Sequence, residues 1–347
     1  MSIPCFRLYL IHCIHMNTPI DLLCIGDTVT DAFIELQDAT VSCDINNENC
    51  TISMRFGDKI PYRDVTILPA VGNSANAAVA GARLGLSVQL VSDIGNDDQG
   101  KQTITQLTSE TVGTDHMSVH TGIKTNYHYV LRYGAERTIL VKHEHYPYQF
   151  PTISQNPAWV YLSSLGNNTE IYHEQIADYL ESNPDIKLAF QPGTFQMKMG
   201  IEKLSRIYKR TYAFFCNKSE ARKILGLPDA DYPELHAGLH NLGPMIVVIT
   251  DGPNGATISD TTNGYFIPMY PDPKPPVERT GAGDATSSTC VCALHLGYDL
   301  PTALSMGMIN SMSVVQYVGA QAGLLNMDQI QELLNNKPGS FTPEKLW

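Results

Sequence analysis

Positive charge is scarce in this chain. Its 347 residues include 23 Lys and Arg against 35 Asp and Glu, which gives a formal net charge of −12. A nucleic-acid-binding surface needs concentrated Lys and Arg, so the sequence predicts no nucleic-acid partner. The acidity does not exclude a bound nucleotide, because Mg²⁺ and backbone amides can neutralise phosphates locally.

A long hydrophobic run is also missing. The apolar segment Ile3 to Ile14 is interrupted by charged and histidine residues, and it is too short to span a bilayer. It shows no convincing small-residue cleavage site. Since Met16 precedes the first predicted strand, we interpret residues 1–16 as an N-terminal extension and residues 17–347 as the folded domain. We therefore expect no membrane partner and a cytoplasmic protein.

Cysteine is present but not patterned. The chain has eight Cys and no Cys-x-x-Cys pair, which disfavours a zinc site. Four of them lie in apolar runs and are predicted to be reduced core residues, namely Cys24, Cys216, Cys290 and Cys292. Cys43 and Cys50 flank a polar loop, where a metal site is the less favoured interpretation.

Short apolar strands alternate with helical segments along most of the chain, for example Leu22 to Gly26, Ala75 to Leu84 and Val88 to Ser92. This order predicts an α/β fold with a doubly wound, mainly parallel sheet and helices on both faces. The first strand is not followed by Gly-x-Gly-x-x-Gly, which argues against a dinucleotide-dependent oxidoreductase.

Two β-rich stretches, at about 33–69 and 121–142, do not fit this alternation. We predict that they pair into a small β-sheet lid over a substrate pocket. Such a lid would exclude water from a reactive site. Its apolar outer face and open edges would also suit a homodimer interface.

The most informative segment runs from Glu278 to Ala285 through Thr280-Gly281-Ala282-Gly283-Asp284. Two glycines at a helix start let backbone N–H groups converge on an anion, and the helix dipole adds positive charge there. The natural task of Asp284 in such a site is to accept a proton from a hydroxyl that attacks a phosphoryl group. The alternative is a plain loop in which Asp284 caps the helix.

A second helix start carries two amide side chains. Gly72 is followed by Asn73 and Asn76, which lie one turn apart and share a helix face. Paired amides offer donors and acceptors, which suits a neutral polyol. The alternative is a capped, Ala-rich packing helix.

Two further segments follow predicted strands. Asn217 and Glu220 could hold a carboxylate near phosphate-bound Mg²⁺ through water, or they could form only a capping box. The run Ile246 to Thr250 leads into a loop that contains Gly252 and Gly255. Backbone amides in such a loop can approach phosphates, although an ordinary hairpin turn is the alternative.

Together and in this order, these segments resemble the ribokinase-like (PfkB) family of carbohydrate and nucleoside kinases. The resemblance extends from about residue 21 to residue 323, and Gly26 to Asp31 and Ile94 to Gly100 support it. It implies a phosphotransferase that uses ATP and Mg²⁺. A non-catalytic ligand-binding protein on the same scaffold is the rival from another class.

The resemblance also implies roles for individual residues. Asp284 would be the catalytic base, and the amides of Gly281, Ala282 and Gly283 would form the anion hole. The substrate-binding residues would be Asp31, Gly72, Asn73 and Asn76. The residues near the nucleotide and its Mg²⁺ would be Asn217, Glu220, Thr250, Gly252, Gly255 and Asn310, with Glu220 acting on the metal through water.

The sequence departs from the family pattern at two places. Val71-Gly72 stands where two glycines are common, which implies a stiffer hinge. Glu278-Arg279 replaces an Asp-Thr pair that helps hold a monovalent cation in relatives. A guanidinium could replace that cation as a fixed charge, so we expect weak or absent K⁺ activation.

The acceptor is the least determined part of this prediction. Asp31, Asn73 and Asn76 favour a sugar. A nucleoside comes second, because aromatic residues near the lid and the segment Gln191 to Phe195 could stack on a base. A phosphorylated sugar comes third and requires four basic residues to face inward, namely Lys124, Arg132, Arg137 and Lys142.

Arg137 and three histidines are the remaining candidates near the predicted lid. Arg137 is a candidate lid contact to the substrate, and a solvated hairpin arginine is the alternative. His128, His143 and His145 are predicted to lie on the lid surface or the pocket rim, and no pattern marks them as metal ligands.

Overall fold

The computed structural model describes residues 19–43, 50–134 and 136–347. The predicted extension over residues 1–16 lies outside these ranges. Within the described part of the chain, no helix has the length and apolarity needed to cross a bilayer.

Strands and helices alternate along the described residues. The strands are β1 (Leu22–Ile25), β2 (Val29–Leu36), β3 (Thr40–Ser42), β4 (Thr51–Ser53), β5 (Tyr62–Val71), β6 (Val88–Gly95), β7 (Met117–His120), β8 (Asn126–Tyr133), β9 (Glu136–Leu140), β10 (Trp159–Leu162), β11 (Lys187–Phe190), β12 (Thr211–Asn217), β13 (Ile246–Thr250), β14 (Ala256–Ser259), β15 (Gly264–Ile267) and β16 (Glu344–Lys345). The α-helices are α1 (Asn73–Arg83), α2 (Asp98–Ser109), α3 (Glu170–Ser182), α4 (Thr194–Met199), α5 (Ser205–Arg210), α6 (Lys218–Leu225), α7 (Tyr232–Asn241), α8 (Ala282–His295), α9 (Leu300–Val314) and α10 (Met327–Asn335).

Over the ranges that the structure describes, the main sheet has ten strands in the order β16-β15-β14-β13-β12-β11-β10-β1-β6-β7. The seven strands from β13 to β7 in this order pair in parallel, and β14, β15 and β16 extend the sheet in antiparallel fashion. Leu22 and Cys24 pack with the cluster that includes α1, α8 and α9, whereas Leu23 and Ile25 pack with α3 and α5 on the other face. This alternation buries the parallel strands on both faces and confirms the predicted doubly wound α/β fold.

A separate four-stranded sheet has the order β5-β2-β8-β9. The two β-rich stretches pair as predicted, since β2 lies between β5 and β8. The pairing of β2 with β8 is parallel, so this small sheet is mixed. Because β2 begins at Val29, Asp31 lies on the small sheet itself and not in the loop before it.

The six cysteines among the described residues divide into two groups. The four predicted core residues are free and buried, as expected. Cys43 and Cys50 form a disulfide next to the β3–β4 pair, with Cα atoms 4.0 Å apart. The sequence did not predict this disulfide, and it leaves neither thiol available for the metal site considered above.

The parallel strands bring several polar segments to one edge of the main sheet. Strands β1, β10, β11, β12 and β13 point the same way, so their carboxyl ends meet at this edge. In open α/β sheets ligands bind at this edge. Asp27, Gln191, Asn217 and Thr250 lie at or just after these strand ends, and helices α1 and α8 contact each other nearby.

Candidate active site

Asp284 is held by three side-chain amides at the start of α8. Asn73 Nδ2 donates to its Oδ1 at 2.8 Å, and Asn76 Nδ2 donates to its Oδ2 at 2.7 Å. Gln191 Nε2 donates to Oδ1 at 3.0 Å. Each of these groups is a donor aimed at a carboxylate, so the arrangement fixes both carboxylate oxygens and favours their ionised form.

Two opposing effects set the acidity of Asp284. Burial at the start of the helix raises its pKa, because a charged carboxylate loses hydration there. The hydrogen bonds from the three amides lower the pKa, but burial is the larger effect and the net direction is upward. A raised pKa brings a carboxylate closer to the range in which it serves as a general base near neutral pH.

Glycine is required where the chain enters this helix. Gly281 is the N-cap of α8 and has φ of 83°, in the left-handed region. A Cβ at this position would lie 2.3 Å from the Cβ of Ala320. Asp284 sits inside the first turn and is not the N-cap, so the interpretation of Asp284 as a capping residue is wrong.

A second glycine positions the amides of α1. Gly72 is the N-cap of α1 with φ of 110°, and a Cβ there would lie 2.6 Å from the backbone oxygen of Asp27. Asn73 and Asn76 then share the helix face that meets Asp284. Gln321 Nε2 donates to Asn76 Oδ1 at 3.0 Å, which orients the amide so that its NH₂ faces the carboxylate.

Gln191 is oriented by buried hydroxyls. Its Oε1 accepts from Tyr161 Oη and, at 3.2 Å, from Ser287 Oγ. Burial raises the pKa of Tyr161 far above its usual range, so its hydroxyl stays protonated and remains a donor. With its oxygen committed in this way, Gln191 must present its NH₂ to Asp284.

Residues of the first turn of α8 line two cavities. The lid-side cavity, about 390 Å³, is lined by Asp284 together with residues of α1 and of the small sheet. The loop-side cavity, about 590 Å³, is lined by Ala282 and Gly283, and by the loop that follows β13. Consecutive residues of one helical turn therefore line two different cavities.

Most of the predicted site residues line one of these two cavities. The lid-side cavity is lined by Asp31, Gly72, Asn73, Asn76 and Asp284. The loop-side cavity is lined by Asn217, Thr250, Gly252, Gly255, Ala282 and Gly283. Glu220 lines neither; it borders a third cavity of about 650 Å³, which Asn217 also lines.

Asn217 and Glu220 form a reciprocal capping box. Glu220 N donates to Asn217 Oδ1 at 2.8 Å, and Asn217 N donates to Glu220 Oε2 at 2.9 Å. Burial raises the pKa of Glu220, and the charge of Asp284 adds a smaller effect in the same direction. The capping interpretation is thus confirmed. It is compatible with metal binding through water, because Glu220 Oε1 is not used by the cap.

Arg137 lies on the loop side, whereas it was expected either to contact the substrate from the lid or to be a solvated hairpin arginine. It lines the loop-side cavity, and its Nε is 3.4 Å from Oε1 of the buried Glu278. Arg279 is half exposed and reaches Glu136, with Nη1 3.9 Å from Oε1. The guanidinium next to Glu278 is therefore that of Arg137 and not that of Arg279, which was expected to carry the replacement charge.

Asn310 does not reach the loop-side cavity with its side chain. It is fully buried, donates to Thr289 Oγ1 at 2.8 Å and accepts from Leu325 N at 2.9 Å. Its helix neighbours Met308 and Ser311 line the cavity instead. The rotation of α9 thus turns Asn310 into the core, and we do not retain it as a nucleotide contact.

Sequence reasoning missed several residues of the lid-side cavity. Asp27 and Lys198 line it, and so do His128 and His143, which were expected on the lid surface or the pocket rim. Phe195, which was expected as a possible stacking residue, lines it too. His145 is exposed. Asp27 follows the first strand directly, so its position at a strand end was the signal that could have identified it.

The four basic residues that a phosphorylated acceptor would need do not line the lid-side cavity. Lys124 is exposed, and Lys142 is exposed and paired with Glu144 at 2.6 Å. Arg132 is absent from the lining of this cavity, and Arg137 lies on the loop side. The condition stated for a sugar phosphate is therefore not met.

The sequence matches known kinases. The profile described as pfkB family carbohydrate kinase matches residues 43–327. A ribokinase from Bacillus subtilis is 30% identical over 294 residues, which cover 80% of this chain and 94% of that protein. An ATP-dependent 6-phosphofructokinase from Thermoanaerobacterium thermosaccharolyticum is 26% identical over 77% of this chain and 85% of that protein.

Solved structures match the fold. The nucleoside kinase of Methanocaldococcus jannaschii aligns with a TM-score of 0.74 at 19% identity, over 91% of this chain and 98% of that one. Arabidopsis thaliana ribokinase, solved with ribose and ATP, aligns with a TM-score of 0.74 at 18% identity, over 91% of this chain and 99% of that one. At these identities the likeness shows the ribokinase-like fold.

Proposed function

Because the chain belongs to the pfkB family of carbohydrate kinases, we propose that it transfers the γ-phosphoryl group of ATP to a hydroxyl of a sugar, with Asp284 as general base. One observation carries this proposal. Asp284 lines the lid-side cavity, whereas Ala282 and Gly283 line the loop-side cavity. A single helical turn thus contacts both spaces, as direct transfer between an acceptor and a nucleotide requires.

In this proposal the acceptor occupies the lid-side cavity. Its hydroxyl hydrogen-bonds to Asp284 and gives up its proton as the phosphoryl group arrives. The N–H groups at Gly281, Ala282 and Gly283 are proposed to bind the transferring group at the start of α8, where the helix dipole favours its negative charge. The three amides around Asp284 hold its oxygens in place, so little reorganisation is needed when the proton moves.

ATP is proposed to occupy the loop-side cavity, with its phosphates near Thr250, Gly252 and Gly255. Arg137 lines the same cavity, which supports a contact to the donor phosphates in place of the acceptor contact expected from the sequence. Relatives support this choice of donor, since the Arabidopsis thaliana ribokinase structure contains ATP.

Mg²⁺ fits the oxygen donors at the start of α6. Asn217 and Glu220 supply hard oxygen ligands, and Glu220 Oε1 is left free by the capping box. When bound, the ion would neutralise charge on the donor phosphates. We propose that Glu220 orients a water molecule of the ion, which requires its ionised form against the effect of burial.

A nucleoside acceptor is the second candidate. The lid-side cavity contains Phe195, whose ring meets that of His143 edge to face with centroids 5.4 Å apart. Ile139 and Val141 add apolar surface to the same cavity. An aromatic ring with apolar neighbours is suited to a nucleobase.

The small sheet is proposed to be a lid and a dimer interface. Its strands contribute Asp31, His128 and Ile139 to the lid-side cavity. On the other side, Ile67, Tyr129 and Leu140 are about half exposed and follow one row across the sheet. An apolar row of this kind is characteristic of an interaction surface, and a second copy of the chain is the partner we propose.

The function is tested with a panel of sugars, sugar phosphates and nucleosides incubated with ATP and Mg²⁺. We expect ADP formation that depends on one acceptor class. Asp284→Asn should lower kcat by about 10²–10⁴-fold with little change in ATP affinity, because general base catalysis contributes on that scale. Wild-type-like turnover by Asp284→Asn would rule out the assigned base. No acceptor-dependent ADP formation would favour a ligand-binding protein on the same scaffold.

A further inference from the structure

Two histidines stand side by side in the lid-side cavity. His128 comes from β8 and His143 from the segment after β9, and their ring centroids are 5.3 Å apart. Each lies next to a carboxylate that also lines the cavity, Asp31 for His128 and Asp27 for His143. The proposed kinase reaction uses neither imidazole as an acid or a base.

His143 is rigidly oriented through Asp27. Its Nδ1 is 3.0 Å from Asp27 Oδ2. Asp27 also accepts from Gly166 N at 2.8 Å and from Tyr148 Oη at 2.9 Å. Burial raises the pKa of Tyr148 far above its usual range, so its hydroxyl stays a donor. Because an ionised carboxylate only accepts, Nδ1 of His143 carries the hydrogen, and Nε2 is the atom left for a ligand.

His128 and Asp31 have incomplete hydrogen bonding. They are register partners on the parallel strands β8 and β2, which places their side chains together, with Nδ1 3.4 Å from Oδ1. Among the described residues, Asp31 Oδ1 and His128 Nε2 are buried and have no hydrogen-bond partner. Such groups are rare in folded proteins because desolvation is not compensated. A ligand that shifts these two side chains on entry and brings hydroxyl groups to them would complete their hydrogen bonding.

The charges around this pair limit what that ligand can be. The described residues that line the cavity include three carboxylates, from Asp27, Asp31 and Asp284. They include one lysine, Lys198, and no arginine. A phosphate or carboxylate on the acceptor would therefore meet an excess of negative charge in a partly desolvated space. Hydroxyl groups can donate to the carboxylates and to the imidazole nitrogens without this penalty.

We propose that His128 and His143 are acceptor-specificity residues, whose Nε2 atoms hydrogen-bond to hydroxyls of an uncharged polyhydroxyl acceptor. This rests on the proposed function, since it assigns the lid-side cavity to the acceptor. The carboxylates Asp27 and Asp31 hold the two rings, and the acidic lining excludes phosphorylated acceptors. The imidazoles thus act in binding and not in the chemical step.

The test exploits the two nitrogens of each ring. Asn places a polar atom near the position of Nδ1 and removes Nε2, whereas Gln places one near Nε2. For His128→Asn and His143→Asn we expect the acceptor KM to rise about tenfold, as loss of one hydrogen bond implies, with little change in kcat or in the KM for ATP. The corresponding Gln variants should retain more affinity. His145→Asn is the matched control, because His145 is exposed and does not line the cavity.

D-ribose, adenosine and D-ribose 5-phosphate are the probes, assayed for turnover and, without ATP, for thermal stabilisation of the protein. We expect ribose or adenosine to stabilise the wild type, the Asn variants to lose that stabilisation, and ribose 5-phosphate to be the poorest of the three in both assays. Unchanged acceptor KM in both Asn variants, or preference for ribose 5-phosphate, overturns the inference. Thermal stabilisation by an uncharged probe without turnover refutes the proposed kinase function alone. Absence of both effects for every uncharged probe overturns both.

Discussion

Gln191 offers the sharpest test of how hydrogen bonds control the pKa of Asp284. Replacement by Met keeps the side-chain length but removes the N–H group that donates to Asp284 Oδ1 at 3.0 Å. This donor stabilises the ionised carboxylate, so its loss must raise the pKa of Asp284 further. A hydrogen bond to a charged group contributes about 1.5–3 kcal/mol, and one pKa unit corresponds to about 1.4 kcal/mol. The expected rise is therefore about one to two pKa units.

The assay is the pH profile of kcat with the acceptor identified in the panel. If Asp284 is the proposed base, activity falls on the acid side as its carboxylate becomes protonated. In Gln191→Met this limb should move to higher pH by about one to two units, and activity should recover substantially on the alkaline plateau. Asn73 and Asn76 still hold Asp284 in this variant, so the geometry of the base should largely persist.

Tyr161→Phe is the matched control for this experiment. It removes one donor to Gln191 Oε1 but leaves Ser287 Oγ and the NH₂ of Gln191 in place. The acid limb should therefore move in the same direction by a smaller amount. If Gln191→Met lowers kcat equally at every pH and the acid limb stays where it is, Gln191 only supports the local structure and the reasoning fails.

Three further predictions concern other parts of the molecule. Exchange of Na⁺ for K⁺ at fixed ionic strength should change turnover little, because the guanidinium of Arg137 lies beside Glu278. A many-fold rise in turnover would contradict this prediction. The variant Arg137→Gln should make the activity more dependent on K⁺. Gly281→Ala should destabilise the protein by about 1–3 kcal/mol in urea unfolding, because its Cβ would lie 2.3 Å from Ala320 Cβ. Gly283→Ala is its control, since a Cβ there meets only Gln191 Nε2 at 4.0 Å, and equal losses in both variants would refute the steric argument. Burial lowers the pKa of His236 to about 3. Between about pH 6.5 and pH 3 this imidazole is therefore protonated in the unfolded chain but neutral in the folded protein, so stability should fall as the pH drops through this range. Between pH 8 and pH 5 the resulting loss of unfolding free energy is about 2 kcal/mol. In His236→Gln the change in unfolding free energy between these pH values, measured in urea, should be smaller by that amount. An unchanged pH dependence would show that His236 is not the group responsible.

Features fixed by neighbouring residues were predictable from the sequence. The glycines at 72 and 281 mark helix starts because each occupies a backbone conformation that other residues avoid. The capping box of Asn217 and Glu220 depends on residues three apart, so their spacing alone indicates it. The alternation of strands and helices gave the main sheet for the same reason, since each element is defined by its own short pattern.

Contacts between distant segments were not predictable in this way. Gln191 is 93 residues from Asp284, and its role depends on β11 ending beside the start of α8. Asp27 and His143 are 116 residues apart and meet only because the chain after β9 passes the end of β1. Nothing in either local sequence marks the pairing, so a helix or strand assignment, however accurate, cannot supply it.

The segment Glu136-Arg137 shows how this limit affects a charge argument. The same dipeptide occurs again at Glu278-Arg279. The sequence alone does not indicate which arginine pairs with which glutamate. Successive side chains on a strand point to opposite faces, so β9 can turn only one of its two charged residues inward. Arg137 approaches the buried Glu278, and the half-exposed Arg279 then meets Glu136 at the surface. The inward charge beside the start of α8 is therefore carried by the small sheet. If this sheet opens as the proposed lid, the charge leaves with it, whereas a charge on Arg279 would stay. The two arginines are distinguished by measuring how K⁺ changes the turnover of Arg137→Gln and of Arg279→Gln. We expect turnover to become dependent on K⁺ in the Arg137 variant but not in the Arg279 variant.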